Sequence, residues 1–300
     1  MLYRALPRNG PQSGFALSAI GLRLNWKMVS HDEKRLRSLL ETAIDNGINS
    51  YYFDYMDLEL WRCVNKAFES IDPGLLYIVT RPYGGPNSQN ALDLSAERLN
   101  ERLYNILDQS GFHTINALIF EHYHQITSDN YSVIQHYCEQ QSVLYLGCDA
   151  YGEQFGELIQ EGDLPLLVTG FDLDTGWKAR HLFQKAEQNH IALLGTAFAP
   201  KVVAQEIEAE NRTLWQNIGS LFAKKQVLEP EAPKDRYDFL YKIANWEPED
   251  LCLAYSLNQS RINCFFVEVS DHERLIRLCK VPERHLPPSL SAQIEMSRFS

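Results

Sequence analysis

The sequence predicts an α/β protein of the (β/α)8 class, the TIM barrel, in which parallel strands alternate with helices around a closed ring. About eight short runs rich in Val, Ile, Leu, Phe and Tyr alternate with segments whose apolar residues recur at helical spacing. Right-handed crossovers between parallel strands allow either a doubly wound sheet or a barrel. Eight repeats without a break in composition favour the barrel, and no Gly-x-Gly-x-x-Gly follows the first strand to indicate a dinucleotide-binding half-sheet.

One domain covering residues 1–300 is expected, with an N-terminal β-hairpin at 1–22 and a C-terminal tail at 281–300. Hydrophobic residues make up 45% of the chain, enough for a sizeable core, and the net charge is −11. An acidic chain lacks the basic face that nucleic-acid binding needs, so no nucleic-acid partner is expected. No membrane span or signal peptide is expected from the apolar runs. Six cysteines without a Cys-x-x-Cys pair indicate reduced thiols, and we expect a cytoplasmic protein.

Turn and cap signals predict the first elements. Asn9-Gly10 is a strong turn dipeptide between two short apolar runs and predicts a hairpin over residues 2–22. Residues 30–33, Ser-His-Asp-Glu, are typical of a capping box at the start of a helix. Asn46-Gly47 ends that helix, and a strand is expected to run toward Tyr52.

The remaining elements alternate in the same way along the chain. Strands are expected at 75–80, 115–120, 143–147, 164–169, 191–195 and 262–267. Helices are expected at 60–68, 95–107, 131–140, 155–160, 177–188, 211–222, 247–257 and 272–279. The charged, proline-containing stretch at 224–235 is expected to be an exposed loop, and the tail after residue 282 shows little periodicity.

Residues 47–57, Gly-Ile-Asn-Ser-Tyr-Tyr-Phe-Asp-Tyr-Met-Asp, are the stretch around which the functional prediction is built. They run from a helix end through a strand into the loop that follows it. In a barrel of this class, residues just past the carboxyl end of a strand face the active-site mouth. We therefore expect Tyr52, Arg81 and Glu121 at the ends of adjacent strands, with Asp57 on a nearby loop.

Several weak motifs in the right order resemble the aldo/keto reductase superfamily over most of the chain. Residues 3–10 with 17–22 look like that family's opening hairpin, and 39–49 look like the helix leading into its second strand. Residues 94–103 and 253–259 resemble the helices before its fourth and eighth strands. The resemblance implies a barrel with an N-terminal hairpin, a catalytic Asp, Tyr, Lys and His at its mouth, and NADPH as the hydride donor.

The four catalytic positions of that family hold other residues in this sequence. An alignment without gaps places Tyr52, Asp57, Arg81 and Glu121 at the Asp, Tyr, Lys and His positions, with His122 following the last. A short insertion would instead bring Asp54 to the Asp position and Glu59 to the Tyr position. A carboxylate that is ionised near neutrality is a poor substitute for a phenol that donates a proton. The resemblance therefore implies a diverged member that does not retain the tetrad.

The positions that contact the cofactor in the aldo/keto reductase superfamily also hold other residues in this sequence. Cys148-Asp149 replaces its Ser-Asn after the fifth strand, and residues 197–200, Ala-Phe-Ala-Pro, stand for its Ser-Pro-Leu loop. Glu268 lies near the place of a basic residue and would repel a phosphate at close range. The resemblance implies NADPH as the cofactor. Because these positions have changed, we expect either no cofactor or a cofactor that the sequence does not identify.

The substituted residues suit proton transfer better than hydride transfer. An Arg fixed between two acids can dock a carboxylate or stabilise a developing oxyanion. Glu121 or Asp57 can act as a general base, and Tyr52 or Tyr55 can donate a proton. The reaction classes expected are isomerisation, elimination and cyclisation. The alternative is that Tyr52 fills an inactive pocket and that Arg81 and Glu121 form a structural ion pair.

Two further groups of residues are candidates for parts of the site. His122 and His124 share a face of an extended segment, but two histidines without a third ligand do not predict a metal site. Trp26, Tyr55 and Phe198 can line an aromatic pocket for a small organic molecule, although aromatic residues at strand ends more often serve packing.

Three hypotheses follow from the sequence. The first is a diverged aldo/keto reductase-like enzyme that acts on a small organic molecule by chemistry other than NADPH-dependent carbonyl reduction. The second is an NAD(P)H-dependent oxidoreductase with relocated catalytic groups. The third is a non-catalytic barrel that acts as a partner or regulatory subunit.

Overall fold

Eight parallel strands form a closed barrel in the computed structural model, which describes residues 1–7, 14–201, 203–205 and 234–297. Before the barrel, β1 (Tyr3–Ala5) and β2 (Ala16–Ser18) pair antiparallel. The barrel strands are β3 (Ile20–Leu24), β4 (Ser50–Phe53), β5 (Tyr77–Thr80), β6 (Ile115–Phe120), β7 (Val143–Asp149), β8 (Leu166–Gly170), β9 (Ala192–Ala197) and β10 (Cys264–Val267). They follow chain order around the ring, and β10 closes it by pairing with β3. The predicted barrel with an N-terminal hairpin is confirmed.

Helices cover the outside of the barrel between the strands. They are α1 (Glu33–Asp45), α2 (Leu58–Ala67), α3 (Ala96–Gln109), α4 (Ser128–Glu139), α5 (Gly152–Glu161), α6 (Trp177–Gln188), α7 (Pro248–Leu257), α8 (His272–Lys280) and α9 (Leu290–Ser297). Short 3-10 helices occur at Trp26–Val29, Pro73–Leu75, Tyr123–Gln125, Lys234–Lys242 and Val281–Glu283. Among the described segments, no helix combines the length and apolarity needed to cross a membrane.

The outer helices form because their apolar residues fall on one face. In α1 the buried residues are Leu36, Leu39, Leu40 and Ala43, which recur every three or four positions. The expected cap at Ser30 is wrong, because Ser30 has a left-handed backbone with φ of 54° and ends the preceding 3-10 helix. Asp32 begins α1 instead, and its carboxylate accepts hydrogen bonds from the backbone N–H groups of Lys34 and Arg35.

The N-terminal hairpin and the C-terminal tail also differ from the sequence prediction. The hairpin ends at Ser18, because the apolar run at 20–24 is buried on both sides as the first barrel strand. The tail contains α9, where Leu290 and Ile294 are buried, an apolar pattern too short for periodicity to detect. The Asn9-Gly10 turn, the helix expected at 211–222 and most of the loop expected at 224–235 lie outside the described residues.

Inward-facing side chains fill the lumen of the barrel. They are Tyr52, Tyr77, Val79, Ala117, Ile119, Tyr145, Leu166, Val168, Ala192, Leu194, Cys264 and Phe266. Leu6 and Leu17 from the hairpin segment pack against them at the end where the strands begin. Gly21 is required in this layer, since a Cβ there would stand 2.5 Å from the ring of Phe266. The hairpin segment therefore covers the end of the lumen where the strands begin.

Candidate active site at the barrel mouth

A cluster of six charged residues lies where the strands end. Because side chains alternate along a strand, residues two or four positions beyond an inward-facing residue also face the barrel axis. We call this set the mouth cluster: Arg23, Asp54, Arg81, Glu121, Asp149 and Glu268. Two guanidinium groups stand against four carboxylates, which leaves an excess of two negative charges. Tyr52, directly below, belongs to the lumen layer.

The first pair of the mouth cluster joins β3 to β4. Arg23 donates from Nε to the carboxylate of Asp54, and Asn25 Nδ2 donates to Asp54 Oδ2 over 2.8 Å. The guanidinium of Arg23 also lies 5.8 Å from the ring centre of Tyr52. Asp54 is therefore held by an ion pair and an amide.

Arg81 is the centre of the mouth cluster. Its Nε donates to the hydroxyl of Tyr52 over 3.0 Å, and its Nη2 donates to Asp149 Oδ2 over 2.6 Å. Its Nη1 stands 4.0 Å from Glu121 Oε2, which is an ion-pair contact beyond hydrogen-bond distance. Although burial opposes the effect, Tyr52 and Asp149 raise the pKa of Arg81, so the guanidinium stays charged. The structure thus brings together three of the residues named from sequence, Tyr52, Arg81 and Glu121.

Tyr52 is fully buried beneath Arg81. Its ring meets Phe266 edge-on, with 5.3 Å between ring centres, and none of its surface is exposed. Burial raises the pKa of Tyr52 despite the neighbouring Arg81, so the phenol is neutral at ordinary pH. Tyr52 therefore orients the guanidinium of Arg81 from below.

Asp149 is a member of the mouth cluster that sequence reasoning named only as a replaced cofactor position. It ends β7 on the same face as Tyr145, and it is 6% exposed. Oδ2 accepts from Arg81, whereas Oδ1 is buried and has no hydrogen-bond partner among the described residues. Burial raises the pKa of Asp149 and the ion pair with Arg81 opposes that rise. The available signal was its position directly after the apolar run at 143–148.

Glu121 is half exposed and is oriented by Tyr83, a second residue that sequence reasoning missed. The hydroxyl of Tyr83 lies 3.1 Å from Glu121 Oε2 and 3.2 Å from Gln125 Oε1, and its one proton serves either acceptor. Tyr83 is buried in the loop between β5 and α3. The only signal in the sequence was an aromatic residue beside Pro82 in a loop rich in Pro and Gly.

Tyr55 and Asp57, on the loop between β4 and α2, form a separate group with Trp26, which begins the 3-10 helix after β3. Asp57 Oδ1 caps α2 by accepting from Leu60 N over 2.9 Å, and it also accepts from Trp26 Nε1 over 3.2 Å. The hydroxyl of Tyr55 accepts from Trp26 N over 2.9 Å. Trp26 is 3% exposed, so these contacts fix the loop and leave little of the indole open to a ligand.

The remaining candidates lie at the edges of the site. His122 and His124 are exposed and stack on each other, with 5.2 Å between ring centres. In the described parts of the chain, no three His, Cys, Asp or Glu side chains are grouped as metal ligands. Phe198 follows β9 and is half buried against the outer core, with its carbonyl oxygen accepting from the hydroxyl of Ser256 over 3.1 Å.

Tyr151 crosses the mouth from one side. It follows β7, and its hydroxyl lies 3.2 Å from Thr196 Oγ1 on β9, two strands away. The ring passes over β8, where a Cβ at Gly170 would stand 3.8 Å from it. About half of Tyr151 is exposed. Burial of the rest, more than the nearby charge of Asp149, raises the pKa of its hydroxyl. Sequence reasoning did not single out this residue.

The described residues do not fit the phosphate groups of NADPH. Glu268 is exposed directly after β10, where it would face a negatively charged ligand. The arginines of the following helix, Arg274 and Arg277, are paired with Glu249 and Asp250 of α7. The mouth cluster itself carries excess negative charge. We therefore derive no step through this cofactor.

Comparisons with known proteins agree with the architecture. No protein-family model matches the sequence, and no curated protein sequence matches it. Among solved structures, the aldo-keto reductase AKR11C1 from Bacillus halodurans, in its holo form, matches with a TM-score of 0.69. The match covers 98% of this chain and 96% of that chain, at 12% sequence identity. The chain has the aldo-keto reductase fold. At that identity the likeness shows the fold alone, so function is argued from the site.

Proposed function

We propose that this protein is an enzyme that acts on a small organic molecule at the barrel mouth by proton transfer, without hydride from a nicotinamide. The observation that carries the proposal is the position of Arg81. Tyr52 and Asp149 hold two of its nitrogens, while the third faces Glu121 at 4.0 Å. A guanidinium fixed in this way is a preorganised site for an oxygen that gains negative charge.

Glu121 is the proposed general base. Its Oε2 is next to Tyr83, and in the described part of the structure no hydrogen bond reaches Oε1. In the proposed step Oε1 takes a proton from the carbon next to a carbonyl group. The C–H electron pair moves into the carbonyl, and Nη1 of Arg81 stabilises the resulting oxyanion. Return of the proton to another atom completes an isomerisation, and loss of a leaving group completes an elimination.

Three features support proton transfer over reduction. Tyr52, the phenol named from sequence, is buried beneath Arg81, and Asp57 is engaged as a helix cap. Arg81 cannot release a proton near neutrality, so it serves as a fixed positive charge and not as an acid. These groups suit charge stabilisation better than delivery of a proton to an alkoxide.

Solvent deuterium exchange tests this proposal without a cofactor. A panel of small aldehydes and ketones is incubated with the protein in D2O, and loss of the proton next to the carbonyl is followed by NMR. We expect protein-dependent exchange that is abolished in Glu121→Gln, and reduced at least tenfold in Arg81→Lys. Glu273→Gln, which changes an exposed acid on α8, should exchange as the wild type does.

Calorimetric titration with NADPH and NADH separates the alternatives. Micromolar binding together with cofactor-dependent carbonyl reduction would replace the proposal with an oxidoreductase that uses relocated groups. Absence of both cofactor binding and exchange would favour a non-catalytic barrel.

A further inference from the structure

We infer that the mouth cluster binds an organic ammonium, an amine that carries a positive charge and N–H donors. This inference names the substrate class of the proposed function and rests on it. Each arginine of the mouth cluster already has its own carboxylate, since Arg23 pairs with Asp54 and Arg81 pairs with Asp149. The carboxylates of Glu121 and Glu268 therefore account for the excess negative charge of the mouth cluster.

The excess charge is placed where a ligand would enter. Glu121 is half exposed, and its contact with Arg81 is a loose 4.0 Å. Glu268 is exposed after β10 and lies close enough to Arg23 to affect its pKa. Opposite charges attract strongly within a partly dry cleft, so this arrangement favours a cation and disfavours a phosphate or carboxylate.

Asp149 supplies an independent reason for an N–H donor. Its side chain is more than nine-tenths buried and faces the barrel axis at the mouth, and within the described part of the chain Oδ1 has no hydrogen-bond partner. A buried carboxylate oxygen is normally hydrogen bonded. An ammonium group beside Oδ1 would supply the missing donor and balance the negative charge of the cluster.

Tyr151 adds an aromatic face to the same place. It spans the mouth from β7 to β9 through a hydrogen bond to Thr196 Oγ1. Aromatic faces attract ammonium groups, and pairing them with carboxylates is a common form of amine recognition. Rotation of Tyr151 breaks that one side-chain hydrogen bond and opens the mouth beneath its ring.

The position of the ammonium also restricts the rest of the substrate. Asp149 and Arg81 are in direct contact at 2.6 Å, so a ligand whose nitrogen meets Asp149 presents its neighbouring atoms to Arg81. The group that suits Arg81 is a carbonyl oxygen. The substrate class is therefore an amino carbonyl compound, with a neutral carbonyl group a short distance from the amine.

The test compares three probes of the same shape and different charge, namely benzylamine, sodium benzoate and benzyl alcohol. Binding to the full-length protein at pH 7 is measured by saturation-transfer NMR. We expect benzylamine to bind at least tenfold more tightly than benzoate, with benzyl alcohol between them. Asp149→Asn should weaken benzylamine binding at least tenfold, and Glu268→Gln several-fold, while Glu273→Gln leaves it unchanged.

Glu268→Gln keeps the test decisive if Asp149→Asn does not fold, because Glu268 is exposed. Benzoate binding as tightly as benzylamine, and losing affinity in Arg81→Lys, would overturn the ammonium inference and leave the proposed function standing. Absence of binding by all three probes would also overturn the inference. The deuterium-exchange result then decides separately whether the proposed function falls with it.

Discussion

Arg81 organises the mouth because its planar guanidinium contacts three side chains from three other strands. Tyr52 comes from β4, Glu121 follows β6 and Asp149 ends β7. A guanidinium presents its N–H groups in a fixed fork, so it can hold two partners and still face a third. Sequence reasoning placed Tyr52, Arg81 and Glu121 together because the carboxyl ends of adjacent parallel strands meet. Asp149 lies two strands beyond Arg81, so the sequence did not predict that they pair. The structure shows that the long side chain of Arg81 reaches Asp149.

Replacing Arg81 with lysine tests the importance of that fork. Lysine keeps the charge but cannot bond Tyr52 and Asp149 in the same geometry, so one buried polar group loses its partner. We expect the free energy of unfolding to fall by about 1–3 kcal/mol in urea titrations. Arg98→Lys, on an exposed ion pair with Glu101, should leave the free energy of unfolding unchanged within error. Equal effects in the two variants would show that the fork has no structural role.

Tyr83 is expected to act by positioning Glu121. Removing its hydroxyl in Tyr83→Phe frees Glu121 Oε2 from its neutral partner while leaving the buried ring in place. Loss of a hydrogen bond to a charged group corresponds to about tenfold in rate. We expect about tenfold slower deuterium exchange, with an unchanged urea midpoint. The same loss of rate in Tyr104→Phe, an exposed tyrosine on α3, would contradict a specific role.

The loop between β5 and α3 is the element that carries Tyr83, and one side chain holds it in place. Arg102 of α3 donates to the carbonyl oxygens of Pro82, Asp93 and Asn90, over 3.0, 2.6 and 2.7 Å. Backbone carbonyls in a loop need partners, and here one guanidinium supplies three. The loop conformation thus depends on a residue that is at least nine positions away in sequence.

Substituting Arg102 with methionine should loosen the loop while keeping much of the apolar stem of the side chain. We expect hydrogen–deuterium exchange measured by mass spectrometry to speed up within residues 82–93, because the loop loses its carbonyl contacts. Carbonyl-substrate exchange should slow with it, since Tyr83 would no longer hold Glu121. Faster exchange throughout α3 instead would mean that the substitution had destabilised the helix.

Over the whole molecule, the barrel could be predicted from sequence because its signals are local and repeated. Apolar strand runs and amphipathic helices can be recognised within about ten residues of sequence. Eight such strand–helix repeats are compatible with few chain topologies. The mouth was only partly predictable, because its contacts join residues far apart in sequence. The position of Asp149 after an apolar run does not show that it reaches Arg81, and the aromatic residue beside Pro82 does not show that Tyr83 contacts Glu121. Tyr151 carries no local pattern that marks it. Likewise, the role of Asp57 as a helix cap emerged only once the start of α2 was known.

The last helical unit of the barrel is held to the rest by a buried group of charges that makes stability depend on pH. Glu249 and Asp250 begin α7, and both are almost fully buried. They pair with Arg274 and Arg277 of α8. Arg284 also contacts Asp250, over 3.2 Å. Burial raises the pKa of Asp250 to about 6, even though these guanidinium groups oppose the rise.

Asp250 therefore binds a proton more tightly in the folded chain than in the unfolded chain, where its pKa is about 3.9. Its favourable contribution is complete below about pH 4 and is lost as pH rises through about 6. We expect the stability of wild type relative to Asp250→Asn to fall by about 2 kcal/mol between pH 4.5 and 7.5, measured by urea unfolding. A difference that stays constant or grows over this range would mean that the arginines keep Asp250 ionised. The group would then act as a permanent ion cluster that fixes α8 against α7 at every pH.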